Sequence, residues 1–165
     1  MMDTKTAGML ARYNAWADQT FLEAVAKLPE DDIYRKTGTL FGSIVGTLNH
    51  NYQVDLIWQA HLLGKEHGFT TRRDVLHPKL ADLALAQAEV DDWLIAWADE
   101  QTPESLDEAI SFRFVSGKVS TMQRGAILLH LFNHKSYHRG WVVEMLLSVG
   151  AKPPQTDLSV YLCER

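Results

Sequence analysis

Apolar side chains recur every three or four residues over most of this chain, the spacing that gathers them on one side of an α-helix. From about Lys5 to Leu28, positions Leu10, Tyr13, Ala17, Phe21, Ala24 and Leu28 keep that rhythm, until Pro29 and the acidic run Glu30-Asp31-Asp32 stop it. Ser43 is placed to cap a second helix running through Leu63, with Leu48, Tyr52, Leu56 and Leu63 along one side and Gly64 as its stop. Lys65 to His77 has no period and is expected to be a connection. Pro78 suits the first turn of a third helix, whose stripe of Leu80, Leu83, Ala84, Val90, Leu94 and Trp97 fades near Gln101-Thr102-Pro103. From Ala109 to Met122 the pattern changes to alternation, Ile110, Phe112 and Phe114 against Ser111, Arg113 and Val115, with Ser116-Gly117 where a tight turn belongs. That segment predicts a short β-hairpin. A fourth helix is expected from about Thr121 to Val149, with Ile127, Leu131, Trp141, Met145 and Val149 on its apolar face, ended by Gly150 and kept from resuming by Pro153-Pro154. Four long helical patterns and one ribbon predict an all-α four-helix bundle with a short β-hairpin before the last helix.

Composition narrows what such a bundle does. At 165 residues the chain suits one domain, residues 1–165, with a sizeable core. A net charge of −5, spread rather than clustered, argues against nucleic acid and against an anionic membrane surface. No apolar run is long enough to span a bilayer and the opening Met1-Met2-Asp3-Thr4-Lys5 lacks a signal peptide's apolar segment, so a cytoplasmic location is expected. Cys163 is the single cysteine, which leaves nitrogen and oxygen as the donors for any metal. Near the end of the chain, it is expected to be a mobile and poorly positioned thiol.

The fourth helix carries the most informative chemistry. His134 and His138 stand four residues apart, so their rings project from one side of a helix and can reach one ion. They fall in a row with Ile127, Leu131, Trp141 and Met145, which points both imidazoles inward. A single inward histidine is usually just a hydrogen-bonded core residue; two at ligand spacing favour a metal, although no Glu follows the first as in the zinc-protease motif. The third ligand must come from elsewhere. His50, midway along the second helix, is the best candidate; His61 is its rival, with a solvated position near the helix end expected for it. His130 is a candidate fourth ligand or supporting donor, but it lies about 12 Å from His138 along the helix axis and the two cannot easily share an ion.

Four stretches also resemble the DinB-like (DinB/YfiT) metalloenzyme superfamily, nearly end to end. Arg12-Tyr13-Asn14-Ala15-Trp16-Ala17 resembles the family's Tyr-Asn-x-Trp-Ala opening, and Gly42 through His50 resembles the segment bearing its first histidine. Leu131 through Gly140 is similar to its Asn-His-x-x-His-His-Arg-Gly element, and Gly150 through Leu162 to its Gly-x-x-Pro-Pro-x-Thr-Asp-Leu tail. The resemblance implies an up-down-down-up bundle and a three-histidine site of His50, His134 and His138 for a divalent transition metal, nickel or zinc first. Tyr137 replaces the commoner histidine beside the last ligand, a neighbour that does not coordinate.

By the same resemblance, the expected activity is metal-assisted attack of a low-molecular-weight thiol on an electrophilic small-molecule substrate. Metal-dependent hydrolysis is the alternative, and a non-catalytic metal-binding or stress-related module is the reading from another class. Three protein ligands favour catalysis, because structural zinc sites are usually closed by four. No general acid or base stands out: Asp55 and Glu144 are helical neighbours and Tyr13, Asn14 and Tyr52 could line the pocket, each more simply explained as packing, surface or hydrogen-bonding structure. A homodimer is expected from the resemblance and from apolar arcs that look wider than one core requires, with Trp58 and Leu62 beside Leu56 and Leu63.

Overall fold

The computed structural model describes residues 2–163, and four long helices carry most of them. Helix α1 (Thr4–Val25) starts where the Asp3 carboxylate accepts a hydrogen bond from the Thr6 N–H, and it ends three residues before the position expected for it. Leu28 precedes Pro29, whose ring disfavours helical backbone on its N-terminal side. The acidic run then does more than stop a helix. Glu30, Asp31 and Asp32 form the first turn of a short helix, α2 (Glu30–Tyr34), where negative charge favours the N-terminus.

Helix α3 (Ile44–Leu62) begins with the Ser43 hydroxyl accepting from the Gly46 N–H at 3.0 Å. At its far end Lys65 N–H reaches Ala60 O and Gly64 N–H reaches His61 O, with Gly64 at φ +67°, the glycine-terminated close read from the sequence. Helix α4 (Leu80–Asp99) begins two residues beyond Pro78, which stands outside the first turn. A further short helix, α5 (Pro103–Asp107), lies where the apolar stripe of the third helix fades. Thr102 and Ser105 bond reciprocally in a capping box and Pro103 opens the first turn, a local signal present in the sequence.

The alternating segment forms an antiparallel ribbon of β1 (Ala109–Arg113) and β2 (Val119–Gln123), with Ala109 opposite Gln123 and Phe112 opposite Ser120. Its second strand runs to Gln123, so helix α6 (Arg124–Ser148) starts later than Thr121. The ribbon is supported because Phe112 is buried against Trp58 and His61. After Gly150 the tail crosses back as helix α7 (Leu158–Cys163), where Tyr161 packs against the rings of Tyr13 and Trp16 and Cys163 is exposed. The tail is therefore anchored on α1, where a mobile end had been expected.

Contacts between the long helices set their directions. Arg12 of α1 pairs with Asp99 at the end of α4 while Asn14, further along α1, bonds Asp91, earlier in α4, so those two run antiparallel. Trp58 meets His130 while His50 meets His138, so α3 and α6 are antiparallel as well. Gly125 backs onto Met2 and Arg139 bonds Tyr13, which makes α1 and α6 parallel. The bundle is up-down-down-up.

The apolar interior divides into two clusters. One holds Ala7, Ala11, Trp58, Trp97, Leu128 and Phe132; the other holds Phe21, Ile44, Leu83, Val90, Val142 and Leu146. Between them lies a buried polar layer built from Asn14, Asp18, Asp55, Gln87, Asp91, Lys135 and Arg139. Trp58 and Leu62, the residues that suggested an outer apolar face, are 5% and 4% exposed and belong to the interior of a single chain. Leu63, expected on the apolar side of the second helix, is exposed.

Candidate metal centre

Helices α3 and α6 face one another with His50, His134 and His138 on the facing sides. Each offers one ring nitrogen, and the three nitrogens all lie within 4.8 Å of one another. The ring centroids are 4.6 Å apart for His50 and His138 and 4.5 Å apart for His134 and His138.

The hydrogen on His50 can be assigned. Its Nδ1 is 2.7 Å from the Arg72 carbonyl oxygen, which only accepts, so Nδ1 carries the hydrogen and Nε2 presents its lone pair to the cluster. Phe41 stacks on the same ring at 3.9 Å and limits its rotation. That stacking depends on Gly46, because a Cβ at Gly46 would stand 2.0 Å from the Phe41 carbonyl oxygen.

All three imidazoles are held neutral. Burial, then the neighbouring His138 and His50, pushes His134 down to about 3. Burial, then His50, pushes His138 down to about 4. Burial also lowers His50, the bond to the Arg72 carbonyl opposes that shift, and the charges of Arg72 and Arg73 add to it. Neutral imidazole is the ligating form.

The donor set fits a divalent transition metal on a direct observation. The Nδ1 atoms of His134 and His138 are buried without a hydrogen-bond partner, in an interior where nearly all polar atoms have one. Three convergent imidazole nitrogens, two of these side chains carrying orphaned atoms, suit a divalent transition metal.

The cluster opens onto a trough of about 730 Å³ between α3, α6 and the 70–73 segment. Its walls include Phe41, Trp58, Phe114, Tyr137 and Trp141. His50 and His61 both line it and stand about 16 Å apart along the axis of α3, so the trough is long.

This sequence and this topology have relatives. The profile of the DinB family matches residues 1–164. The chain belongs to the DinB family. Over 164 residues, 93% of this chain and 91% of the relative, it is 28% identical to Protein DinB of Bacillus subtilis (strain 168). It also resembles the crystal structure of a DinB-like protein from Bacillus cereus ATCC 10987, with a TM-score of 0.65 at 19% identity, covering 87% of this chain and 91% of that one. That likeness shows the shared DinB-like fold.

Within this DinB-family chain the other histidines take distinct places. His61 is outside the three-nitrogen group, and it is buried rather than solvated, 6% exposed and packed on Trp58, Phe112 and His67. The hairpin that covers it is distant in sequence, so its burial has no local signal. His130 also lies outside the group; its ring is 5.8 Å from that of His134 and 5.0 Å from that of Trp58 along the trough. Tyr13, Asn14 and Tyr52 are not among the lining residues, and Glu144 is exposed. Tyr137 does line the trough.

Asp55 belongs to the polar layer as hydrogen-bonding structure and does not line the trough. Lys135, 1% exposed, forms ion pairs with Asp18 at 2.5 Å and with Asp55, and Gln87 donates to Asp55 and Asp91. Burial disfavours the Lys135 charge, but Asp18, Asp55 and Asp91 outweigh it and raise its pKa. Arg139 lies 3.5 Å from Asp18 and donates to Tyr13, Asn14 and Ser136. Three carboxylates thus face two cations. Asp91 is pushed well above the usual carboxylate range, first by burial and then by Asp18.

The layer also orients the histidine cluster. Successive residues in a helix are rotated by about 100°. Turning Lys135 and Arg139 inward therefore swings His134 and His138 toward α3 and the trough, on the flank of the α6 core stripe rather than along its middle.

Proposed function

We propose that His50, His134 and His138 bind one divalent transition metal, nickel or zinc, and that the protein uses it to activate a small thiol for transfer to an electrophilic substrate. The observation that carries this reading is the convergence of three neutral imidazoles at the wall of a long trough, with buried, unpartnered nitrogens on two of them. A divalent metal held by three neutral ligands keeps its charge and lowers the pKa of a bound thiol or water, supplying a nucleophile near neutral pH.

The chain's own residues set the conditions for that chemistry. The Arg72 carbonyl and the Phe41 ring orient His50, while the Lys135 ion pairs fix the rotation of α6 and with it His134 and His138. No carboxylate lines the trough among the described residues, so no acidic general base stands there. In the transfer, the thiol proton passes to solvent, sulfur bonds to the electrophilic carbon, and the leaving group departs with the electron pair.

Cobalt substitution provides the test. Titration with glutathione, cysteine or another low-molecular-weight thiol is expected to add a sulfur-to-metal charge-transfer band in the near ultraviolet, absent when His134 is replaced by Ala. A spectrum perturbed by carboxylates and water but by no thiol at millimolar concentration rejects thiol activation and favours hydrolysis.

The same reading places the protein in the cytoplasm, consistent with the described residues containing no helix long and apolar enough to cross a membrane. It also carries a homodimer, which now rests on family resemblance because Trp58 and Leu62 are interior. Light scattering at micromolar concentration is expected to give twice the 18.7 kDa chain mass, and a monomer mass would reject it.

A further inference from the structure

The charge of the trough runs against the charge of the protein. The chain carries a net charge of −5, yet no Asp or Glu is among the residues that line the trough, whereas Arg72 and Arg73 are. Both arginines are exposed, and neither guanidinium has an ion-pair or hydrogen-bond partner among the described residues. Asp74, the adjacent acid in sequence, is engaged elsewhere: its carboxylate accepts from Gln53 Nε2 at 2.7 Å and its N–H donates to Gln53 Oε1.

The segment that presents these arginines is held in place. Thr71 O accepts from Gln53 Nε2, Arg72 O accepts from His50, and Arg73 N–H donates to the Thr71 hydroxyl. Further on, Asn49 exchanges two hydrogen bonds with the backbone of His77. Gln53 and Asn49 are both fully buried on α3, so the loop is fastened to the helix that carries His50. Two unpaired guanidiniums are thus displayed from a fixed backbone at the edge of an apolar, aromatic trough.

We propose that the trough takes an anionic small molecule whose carboxylate or phosphate is held by Arg72 and Arg73, with its uncharged remainder lying along the Trp58 and Phe114 wall. Arginine matches this role because its planar fork pairs two N–H donors with two oxygens of an oxyanion. Desolvating the remainder against aromatic walls supplies affinity, and the guanidiniums supply selection by charge. This inference deepens the metal-centre reading, because it names the class of molecule that the same trough would present to the three histidines.

The test compares ligands of similar size and different charge: 3-phenylpropionate, phenethyl phosphate and 3-phenyl-1-propanol, read by the fluorescence of Trp58 and Trp141, which line the trough. Each is titrated into metal-free and metal-loaded protein. At low salt the better anion is expected to bind about tenfold tighter than the alcohol in both forms, a preference that shrinks as salt screens the exposed guanidiniums. Comparing carboxylate with phosphate identifies the preferred oxyanion.

The preference is expected to vanish in Arg72→Gln/Arg73→Gln and to survive in part in Arg72→Lys/Arg73→Lys, with helical circular dichroism unchanged. Equal affinity for anions and alcohol in the wild type, or a preference that persists in the Gln variant, overturns the inference. If the Gln variant does not fold, the wild-type comparison and its salt dependence still decide. A protein that takes up no metal yet selects anions rejects the metal reading alone. One that binds metal but selects no anion, or selects it only when metal-loaded, rejects the arginine site alone.

Discussion

Replacing Lys135 by Met removes the cation from the buried polar layer while keeping most of the side-chain volume. Lys135 is 1% exposed and its two carboxylate partners, Asp18 and Asp55, are 7% and 5% exposed, so water cannot substitute for the lost ammonium without opening the core. Breaking a buried pair from one side costs about 3–5 kcal/mol, because the remaining charge keeps its desolvation penalty. A domain is stable by only about 5–15 kcal/mol, so the variant is expected to be marginal at neutral pH. The loss depends on pH: acid protonates the stranded carboxylates, so the difference from wild type should narrow as pH falls. Urea unfolding at pH 7 and pH 5, followed by tryptophan fluorescence and circular dichroism, measures both effects. Adding Asp18→Asn and Asp55→Asn to Lys135→Met should recover much of the stability by removing the unpaired charges. A single variant within about 1 kcal/mol of wild type at pH 7, or a triple variant no better than the single, would refute the assignment of this layer as a charge-balanced structural unit.

The buried Asp91 has a folded-state pKa raised above its unfolded value, so wild-type stability falls as pH rises from about 3.8 through the raised value. Asp91→Asn should therefore be more stable than wild type above that window and equal to it near pH 4; a constant difference across pH, in urea titrations, would contradict this. Single replacement of His50, His134 or His138 by Ala should sharply reduce bound metal measured by elemental analysis, whereas His61→Ala and His67→Ala should retain it; full retention in all three ligand variants would reject the site. Gly46→Ala should cost about 1–3 kcal/mol by overpacking and loosen the Phe41 stack on His50, seen as a lower melting temperature together with weaker metal uptake.

Local sequence determines much of this protein because the forces involved are short-ranged. The Ser43 cap, the glycine close at Gly64, the Gly117 turn at φ +85° and the one-turn spacing of His134 and His138 each depend on residues a few positions apart. The capping box at Thr102 and Ser105 is equally local, but the helix it opens is too short to show an apolar period. Tertiary structure decided what local spacing leaves ambiguous. Helix α6 has apolar residues around much of its circumference, and only the acids supplied by α1 and α3 select the side on which Lys135 and Arg139 turn inward, with Asp55 80 residues away from Lys135. His61 lies near a helix end and would be solvated but for Phe112, which a later hairpin lays over it. Arg72 and Arg73 belong to a segment with no period of its own, placed at the trough by buried polar side chains of α3. A helix cap is satisfied within one turn of chain, but a buried charge or a loop carbonyl finds its partner only after the bundle has assembled, so no pattern within either segment reveals the pairing.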